Sequence, residues 1–328
     1  ALCDLGLCYE NGDGVEQDLS RAADLYRQAA DRGDPRSMCN LAVCFLNGNG
    51  VEKDLPAAVG WLEQAVQREH PRAASILGDL YRDGEGVEQD DGRAFQLYQE
   101  AAGQGYPPAM FSLGYSFEVG RGTPEDKTQA LEWYRRSAQD GYAPAMCNLA
   151  FCLENGIGTE EDMAQAIQWY RQSAERGYPR AMNNLGLCYE HGDGVEEDME
   201  QAARYYQQAA DRGYAPALCN LGVCYEYGQG VPEDKARAVE LYRRAAEGGN
   251  TAGMCNLAYC LECGVGTKKD MAAAITWYTR AADRNYPRAM YNLALCYENG
   301  DGVEADQPRA LELYRRGAET GYAAAQHR

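Results

Sequence analysis

The segment CYENGDGVEQD, residues 8–18, combines four acidic side chains, an asparagine and two glycines. An oxygen-rich loop of this kind could bind Ca²⁺, which takes carboxylate and carbonyl ligands. An EF-hand loop needs oxygen donors at alternate positions, a glycine at the sixth position and a bidentate glutamate at the twelfth. Counting from Asn11, Val15 occupies a donor position and Glu16 occupies the glycine position. The segment therefore does not match the calcium-binding pattern.

Nine copies of this segment follow one another along the chain. The glycine pair 12/14 recurs every 36 residues, at 48/50, 84/86, 120/122, 156/158, 192/194, 228/230, 264/266 and 300/302. The residue between the glycines includes Arg121, Ile157 and Val265, which cannot bind Ca²⁺. A fixed period of this size is typical of a repeat array. We therefore expect the loop to set the path of the chain, and we predict no metal site and no cofactor.

Other residues with catalytic potential also lack the required spacing. Cys260 and Cys263 match C-x-x-C, but a reactive thiol of that motif lies at a helix N-terminus, where its pKa is lowered. Here the pair falls in the predicted last turn of a helix. His70, His191 and His327 occupy unrelated places in the repeat. The chain has no S-x-x-K motif and no glycine-rich phosphate loop. We predict that the protein is not an enzyme.

The repeat predicts two helices. In the second copy, residues 37–47 place small or apolar residues on one helical face. Gly48 then suits a left-handed C-terminal cap, and Asp54 is predicted to cap the next helix, a contact worth about 1 kcal/mol. The aspartate recurs in every copy: Asp18, Asp54, Asp90, Asp126, Asp162, Asp198, Asp234, Asp270 and Asp306. The second helix carries a tyrosine between alanines on one face, as at Tyr26.

These residues resemble the Sel-one-like repeat (SLR) family, a relative of the tetratricopeptide repeat. The pattern A-x-x-x-L-G-x-x-Y-x-x-G-x-G-V-x-x-D runs from Ala181 to Asp198, and A-x-x-x-Y-x-x-A-A-x-x-G runs from Ala202 to Gly213. The resemblance covers the whole chain. It departs from the pattern at Glu69, which replaces a cap glycine, and at Leu62, which replaces the helix tyrosine.

The resemblance implies an all-α fold, an α-solenoid that winds as a right-handed superhelix of nine helix–turn–helix repeats. We expect one domain, residues 1–328, with position 1 of the repeat at residue 1. The repeats are then 1–36, 37–72, 73–108, 109–144, 145–180, 181–216, 217–252, 253–288 and 289–324. Residues 325–328 would begin a truncated tenth repeat. Because the chain starts without Met and in the middle of a motif, we expect it to be part of a longer protein that lacks its native N-terminus.

Composition restricts the class of partner. The net charge is −19, which opposes binding to nucleic acid or to anionic membranes and favours a basic or amphipathic partner. No apolar run is long enough to span a bilayer, so no membrane insertion is expected. Twelve of the thirteen cysteines fall at repeat positions 3 and 8, at separations unsuited to disulfides. We interpret them as small core residues, which favours a reducing compartment without fixing the localisation.

Tetratricopeptide-like superhelices line their groove with the first helix of each repeat. If this chain follows suit, positions 3, 7, 10 and 11 face a groove. Position 10 would form an acidic stripe of Glu118, Glu154, Glu190, Glu226, Glu262 and Glu298, together with Glu10. Position 7 adds Tyr115, Phe151 and Tyr259, among other apolar residues. Position 4 adds an asparagine row that includes Asn148, Asn184, Asn220 and Asn256, which either bind a peptide backbone or cap the preceding loop.

The resulting hypothesis is a non-enzymatic scaffold or adaptor for protein–protein interaction. Its acidic groove would bind a protein or peptide through a basic or amphipathic segment. One alternative is a structural array that self-assembles end to end. A less favoured alternative is the penicillin- or cell-wall-binding activity linked to some cysteine-rich relatives.

Overall fold

The computed structural model describes residues 1–320, which form eighteen α-helices and no strand. The first helices of the repeats are α1 (Leu2–Asn11), α3 (Pro35–Asn47), α5 (Pro71–Asp83), α7 (Pro107–Val119), α9 (Ala143–Glu154), α11 (Pro179–His191), α13 (Ala215–Tyr227), α15 (Thr251–Cys263) and α17 (Pro287–Asn299). The second helices are α2 (Leu19–Ala30), α4 (Leu55–Val66), α6 (Asp91–Gly103), α8 (Lys127–Gln139), α10 (Met163–Glu175), α12 (Met199–Ala210), α14 (Lys235–Glu247), α16 (Met271–Ala282) and α18 (Gln307–Glu319). The predicted all-α solenoid of nine two-helix repeats is confirmed. The expected tenth repeat and His327 lie outside the described residues.

From α3 onward, each first helix begins two residues earlier than the sequence pattern suggested. In the second copy α3 starts at Pro35 rather than at residue 37, because Asp34 caps it by accepting the Ser37 amide at 2.9 Å. Proline suits the first helical position, since its missing N–H has no partner there in any case. The predicted starts at residue 37 and its equivalents therefore needed correction.

The acidic loop caps two helices, as predicted. Gly48 adopts φ 73° and ends α3, while Asp54 accepts the Ala57 amide at 2.9 Å and begins α4. The equivalent aspartate bond is present in every copy. The second glycine, Gly50, permits a close approach to the preceding repeat, because a Cβ there would lie 2.1 Å from the Leu19 carbonyl oxygen. The loop thus packs directly on the second helix of the preceding repeat.

The chain divides into two compact units, Ala1–Trp169 and Tyr170–Arg328, the second being described to residue 320. Helices α1 to α9 each pack on their neighbours in sequence, as do helices α11 to α18, and clusters of buried residues run from Cys3 to Leu113 and from Ala202 to Tyr314. First helices also contact each other directly, α5 with α7 in the first unit and α13 with α15 in the second. Within residues 1–320 no two second helices pack to the same extent. None of the helices in this range is long and apolar enough to cross a bilayer.

A buried tyrosine fills the centre of most repeats. Tyr242 is fully buried, and a Cβ on the facing Gly222 would lie 2.6 Å from its ring. The small residue at position 6 therefore lets the two helices approach around the ring. In the second copy Leu62 takes the same buried place, and the nearby turn keeps its shape because Glu69 itself adopts a left-handed φ of 57°.

The cysteines are core residues, as predicted. All except Cys8 and Cys263 are buried. Burial raises the pKa of Cys39 to about 11 and that of Cys219 to about 12. These thiols are therefore neutral packing groups at physiological pH.

Candidate functional site

The outward surface of the first helices contains most of the predicted site residues, and we call it the first-helix face. It consists of repeat positions 4, 7, 10 and 11. Position 10 is half-buried in every copy, and position 11 is exposed in every copy. Position 3 was predicted to lie here as well, and that prediction is wrong: Cys39 and Cys255 are completely buried. Position 3 is buried because a first helix such as α3 or α15 packs on the second helices of two repeats.

The glutamates of position 10 are held by the buried tyrosines. In six repeats the tyrosine hydroxyl donates to Oε2 of the glutamate sixteen residues earlier, on the first helix of the same repeat. The distances are 2.5 Å for Tyr134–Glu118, 2.5 Å for Tyr206–Glu190, 2.6 Å for Tyr242–Glu226, 2.7 Å for Tyr278–Glu262 and 2.6 Å for Tyr314–Glu298, and Tyr26 and Glu10 form the same bond. These carboxylates are therefore fixed in place by one oxygen.

Two repeats depart from this pairing, and each departure is compensated. In the second copy Leu46 replaces the glutamate and Leu62 replaces the tyrosine, so both polar partners are absent together. In the third copy position 10 is Arg82, and Tyr98 instead donates to Asp79 at 2.8 Å. Arg82 also donates to Asp79 at 2.8 Å. Neither copy therefore contains a buried hydroxyl without an acceptor, which would cost about 1–3 kcal/mol.

The tyrosine hydroxyls remain protonated over the whole physiological range. Burial is the main cause of the strongly raised pKa of Tyr242, and the hydrogen bond to Glu226 and its negative charge add to the effect. The pKa of Tyr206 is raised in the same way by burial and by Glu190. The hydroxyl is consequently a permanent donor, which suits a carboxylate acceptor.

Large apolar side chains are exposed on both sides of the fixed carboxylates. Tyr259, predicted at position 7, is 39% exposed, and Tyr227 at position 11 is 64% exposed. In the first unit Tyr115 and Val119 form a smaller equivalent on α7, and Phe151 is half-buried. The individual residues Tyr227 and Val119 were missed in the sequence, because position 11 is polar in most copies.

The asparagines of position 4 connect neighbouring first helices. The amide of Asn220 donates to Asn183 Oδ1 at 3.0 Å, and that of Asn256 donates to Cys219 Sγ at 3.6 Å. Asn148 is buried, whereas Asn184 is half-buried. Neither contact is a cap of the preceding loop, which was one of the two roles considered for this row. The side-chain oxygen of Asn256 also accepts Arg288 Nη1 at 3.1 Å.

No group of three or more His, Cys, Asp or Glu side chains in residues 1–320 could hold a metal ion. Cys263 is the exposed exception among the thiols, at the end of α15. The first-helix face therefore provides fixed carboxylates, exposed aromatic rings and amides, all of which are suited to binding another molecule.

Comparison with known proteins agrees with this architecture. A family model described as the Sel1 repeat matches nine consecutive segments, at residues 1–34, 35–70, 71–106, 107–142, 143–178, 179–214, 215–250, 251–286 and 287–322. Comparison with curated proteins finds no match.

Among solved structures, c5321 of uropathogenic Escherichia coli, a protective antigen with an SLR fold, is 32% identical to this chain with a TM-score of 0.71. The match covers 99% of this chain and 70% of that one. A Sel1 repeat protein from Oxalobacter formigenes is 34% identical with a TM-score of 0.66, over 73% of this chain and 96% of that one. Sel1 repeat proteins generally act as protein-interaction scaffolds and are typically non-enzymatic. The chain belongs to the Sel1 repeat family.

Proposed function

We propose that the protein is a non-enzymatic scaffold whose first-helix face, in residues 170–320, binds a peptide segment with basic residues among apolar anchors. The observation that carries this proposal is the arrangement of exposed Tyr227 and Tyr259 beside the fixed carboxylates of Glu226 and Glu262. Such a surface offers apolar contact and anionic acceptors to the same ligand.

The carboxylates support the binding of cations because the buried tyrosines hold each of them by only one oxygen. Tyrosine hydroxyls occupy Oε2 of Glu190, Glu226 and Glu262. Oε1 of Glu190 and of Glu262 has no hydrogen-bond partner among the described residues. A carboxylate that is already oriented loses little side-chain entropy when it binds an ammonium or guanidinium group. The tyrosines thus prepare the row for cationic ligands.

The exposed tyrosines support the apolar part of the proposal. Aromatic rings provide large contact area at low conformational cost, and their faces attract cations. The negative charge of Glu226 is the main cause of the raised pKa of Tyr227, so this hydroxyl and the carboxylate lie close together. An apolar side chain of the ligand can pack on the ring while a neighbouring basic side chain reaches the carboxylate.

The overall charge supports the same class of ligand. A net charge of −19 attracts basic segments over a distance of about 8–10 Å at physiological salt. We therefore expect faster association at low salt, with a smaller effect on dissociation.

Fluorescence anisotropy with labelled synthetic peptides tests the proposal. The probe is an amphipathic lysine–leucine peptide, compared with versions in which lysine is replaced by glutamine or by glutamate. We expect only the lysine version to bind. The triple variant Glu190→Gln, Glu226→Gln and Glu262→Gln keeps an acceptor for each tyrosine, and we expect it to bind at least tenfold more weakly.

The matched control removes the same charge from exposed loop positions: Glu196→Gln, Glu197→Gln and Glu304→Gln. It should bind the lysine peptide within about twofold of the parent protein. Equal weakening in both triple variants would reduce the effect to net charge and remove the first-helix face from the proposal.

A further inference from the structure

The chain shows how a guanidinium binds on the first-helix face. In the first, second and eighth repeats the arginine at position 36, which is the second residue of the next first helix, donates Nη1 to the side-chain oxygen of position 4. The distances are 3.1 Å for Arg36–Asp4, 2.9 Å for Arg72–Asn40 and 3.1 Å for Arg288–Asn256. The repeat therefore contains a built acceptor for an arginine that comes from outside its own helix.

Two adjacent repeats of the second unit keep the acceptor and lack the arginine. The residues that correspond to Arg288 are Pro216 opposite Asn184 and Ala252 opposite Asn220. Neither side chain can donate a hydrogen bond. Asn184 makes no side-chain hydrogen bond with another described residue, and Asn220 uses only its amide nitrogen, toward Asn183. Both residues are half-buried, so each keeps part of its surface accessible.

Charged groups of both signs lie near these acceptors. Burial is the main cause of the raised pKa of Cys224, and the Glu190 carboxylate adds to it. Burial also raises the pKa of Cys219, the residue directly before Asn220; there the charge of Arg288 lowers the pKa and that of Glu226 raises it. A guanidinium at either open acceptor would gain a hydrogen bond to the amide oxygen.

We propose that Asn184 and Asn220 are two binding sites for arginine side chains of a bound partner, which supply the guanidinium groups that Pro216 and Ala252 omit. This inference rests on the proposed function and specifies its ligand. Arginine fits better than lysine because its planar fork can donate to the amide oxygen and still direct other N–H groups at a carboxylate.

The spacing of the repeats sets the spacing of the arginines. Neighbouring packed helices lie about 8–10 Å apart, and an extended chain advances about 3.3 Å per residue. Two arginines three residues apart in an extended segment would therefore reach both acceptors together.

Side-chain amide resonances provide the test. The probe is N-acetyl-arginine N-methylamide, titrated into the full chain with ¹⁵N-labelled asparagine. We expect the resonances of Asn184 and Asn220 to shift with a dissociation constant of about 1–10 mM, while that of Asn256 stays in place. The proposal would be overturned if neither resonance shifts, or if the resonance of Asn256 shifts as much as those of Asn184 and Asn220.

Two variants should change the number of open acceptors in opposite directions. Ala252→Arg should supply the missing group and abolish the probe-induced shift of Asn220 while leaving that of Asn184. Arg288→Ala should open a third site and make Asn256 respond. The control Gln208→Arg adds the same charge at an exposed place on α12 and should change none of these responses. A response of Asn220 that survives Ala252→Arg contradicts the assignment, as does a silent Asn256 in Arg288→Ala.

N-acetyl-lysine N-methylamide and the lysine–leucine peptide separate this inference from the proposed function. If the lysine–leucine peptide binds as described above but the arginine probe shifts neither asparagine, the arginine sites fail and the scaffold function stands. If the arginine probe shifts both asparagines and the peptide does not bind, the sites stand and the proposed function fails. Shifts of the same size with the lysine probe would contradict the preference for guanidinium.

Discussion

The hydrogen bond between Tyr242 and Glu226 should couple the two helices of its repeat energetically. The hydroxyl is buried and lies 2.6 Å from the carboxylate, so the bond is charge-assisted and should contribute about 1.5–3 kcal/mol. Tyr242→Phe leaves a half-buried carboxylate that water can reach, so we expect a loss of about 1.5 kcal/mol. Glu226→Leu leaves a buried hydroxyl without its acceptor, and we expect a loss of about 2 kcal/mol.

The double variant should lose less than the sum of the two single losses. In the Glu226→Leu background the hydroxyl is a buried polar group without a partner, and Tyr242→Phe removes it. We therefore expect a coupling free energy of about 1.5 kcal/mol. Leu46 with Leu62 shows that an apolar pair can replace both partners together. The assay is urea unfolding followed by circular dichroism, fitted with nearest-neighbour terms because stability in a repeat array is nearly a sum of such terms.

A matched cycle supplies the control. Tyr242→Phe combined with Glu240→Leu, an exposed change on the same second helix, should be additive within about 0.5 kcal/mol. If the Tyr242 and Glu226 losses also add within that margin, the bond contributes no coupling and the explanation of the paired substitutions is wrong.

Two further predictions concern the loop glycines and alkaline pH. Gly228→Ala places a methyl group at φ 67° with its nearest neighbour 3.4 Å away, and we expect it to lower the free energy of unfolding by about 1–2 kcal/mol. Gly230→Ala would put Cβ 2.0 Å from the Met199 carbonyl oxygen, so it should lower that free energy by at least twice as much. Equal urea midpoints for the two variants would refute this difference. Burial raises the folded-state pKa of Cys39 from 9.0 to about 11, so the unfolded chain releases the thiol proton first as the pH rises. The stability that the neutral buried thiol contributes is therefore complete below about pH 9 and is lost as the pH rises through 11. The buried tyrosines act in the same direction above about pH 10, so the unfolding temperature should fall steadily from pH 9 upward. A folded protein in which all 24 tyrosines titrate at the ordinary pH of about 10 would contradict the raised values.

The sequence was sufficient for the repeat architecture because its signals are local. Gly48 and Asp54 define the turn through backbone geometry and one short-range bond each, and both act as predicted. The start of α3 was placed two residues late because the cap, Asp34, precedes the region of strong periodicity. Local capping residues thus carried more information than the apolar pattern at this end of the helix.

The role of the position 10 glutamates could not be derived from one helix alone. An acidic row on a helical surface looks the same whether it is fully solvated or held by buried hydroxyls on another helix. A signal was nevertheless present: Leu46 replaces the glutamate in the one copy where Leu62 replaces the tyrosine. Such paired changes among internal copies indicate contact in the way that co-varying positions do between proteins.

The glutamate–tyrosine bond links the two helices within a copy, so it determines which pieces of the chain can be exchanged. A copy moved as a complete helix pair carries both partners with it, and Leu46 with Leu62 would arrive as compatibly as Glu226 with Tyr242. A crossover inside the glycine loop would instead join a leucine to a tyrosine and leave a hydroxyl stranded in the core. Recombined or shortened arrays of this protein should therefore be cut ahead of the first helix, at the turn that contains residue 33 or its equivalents.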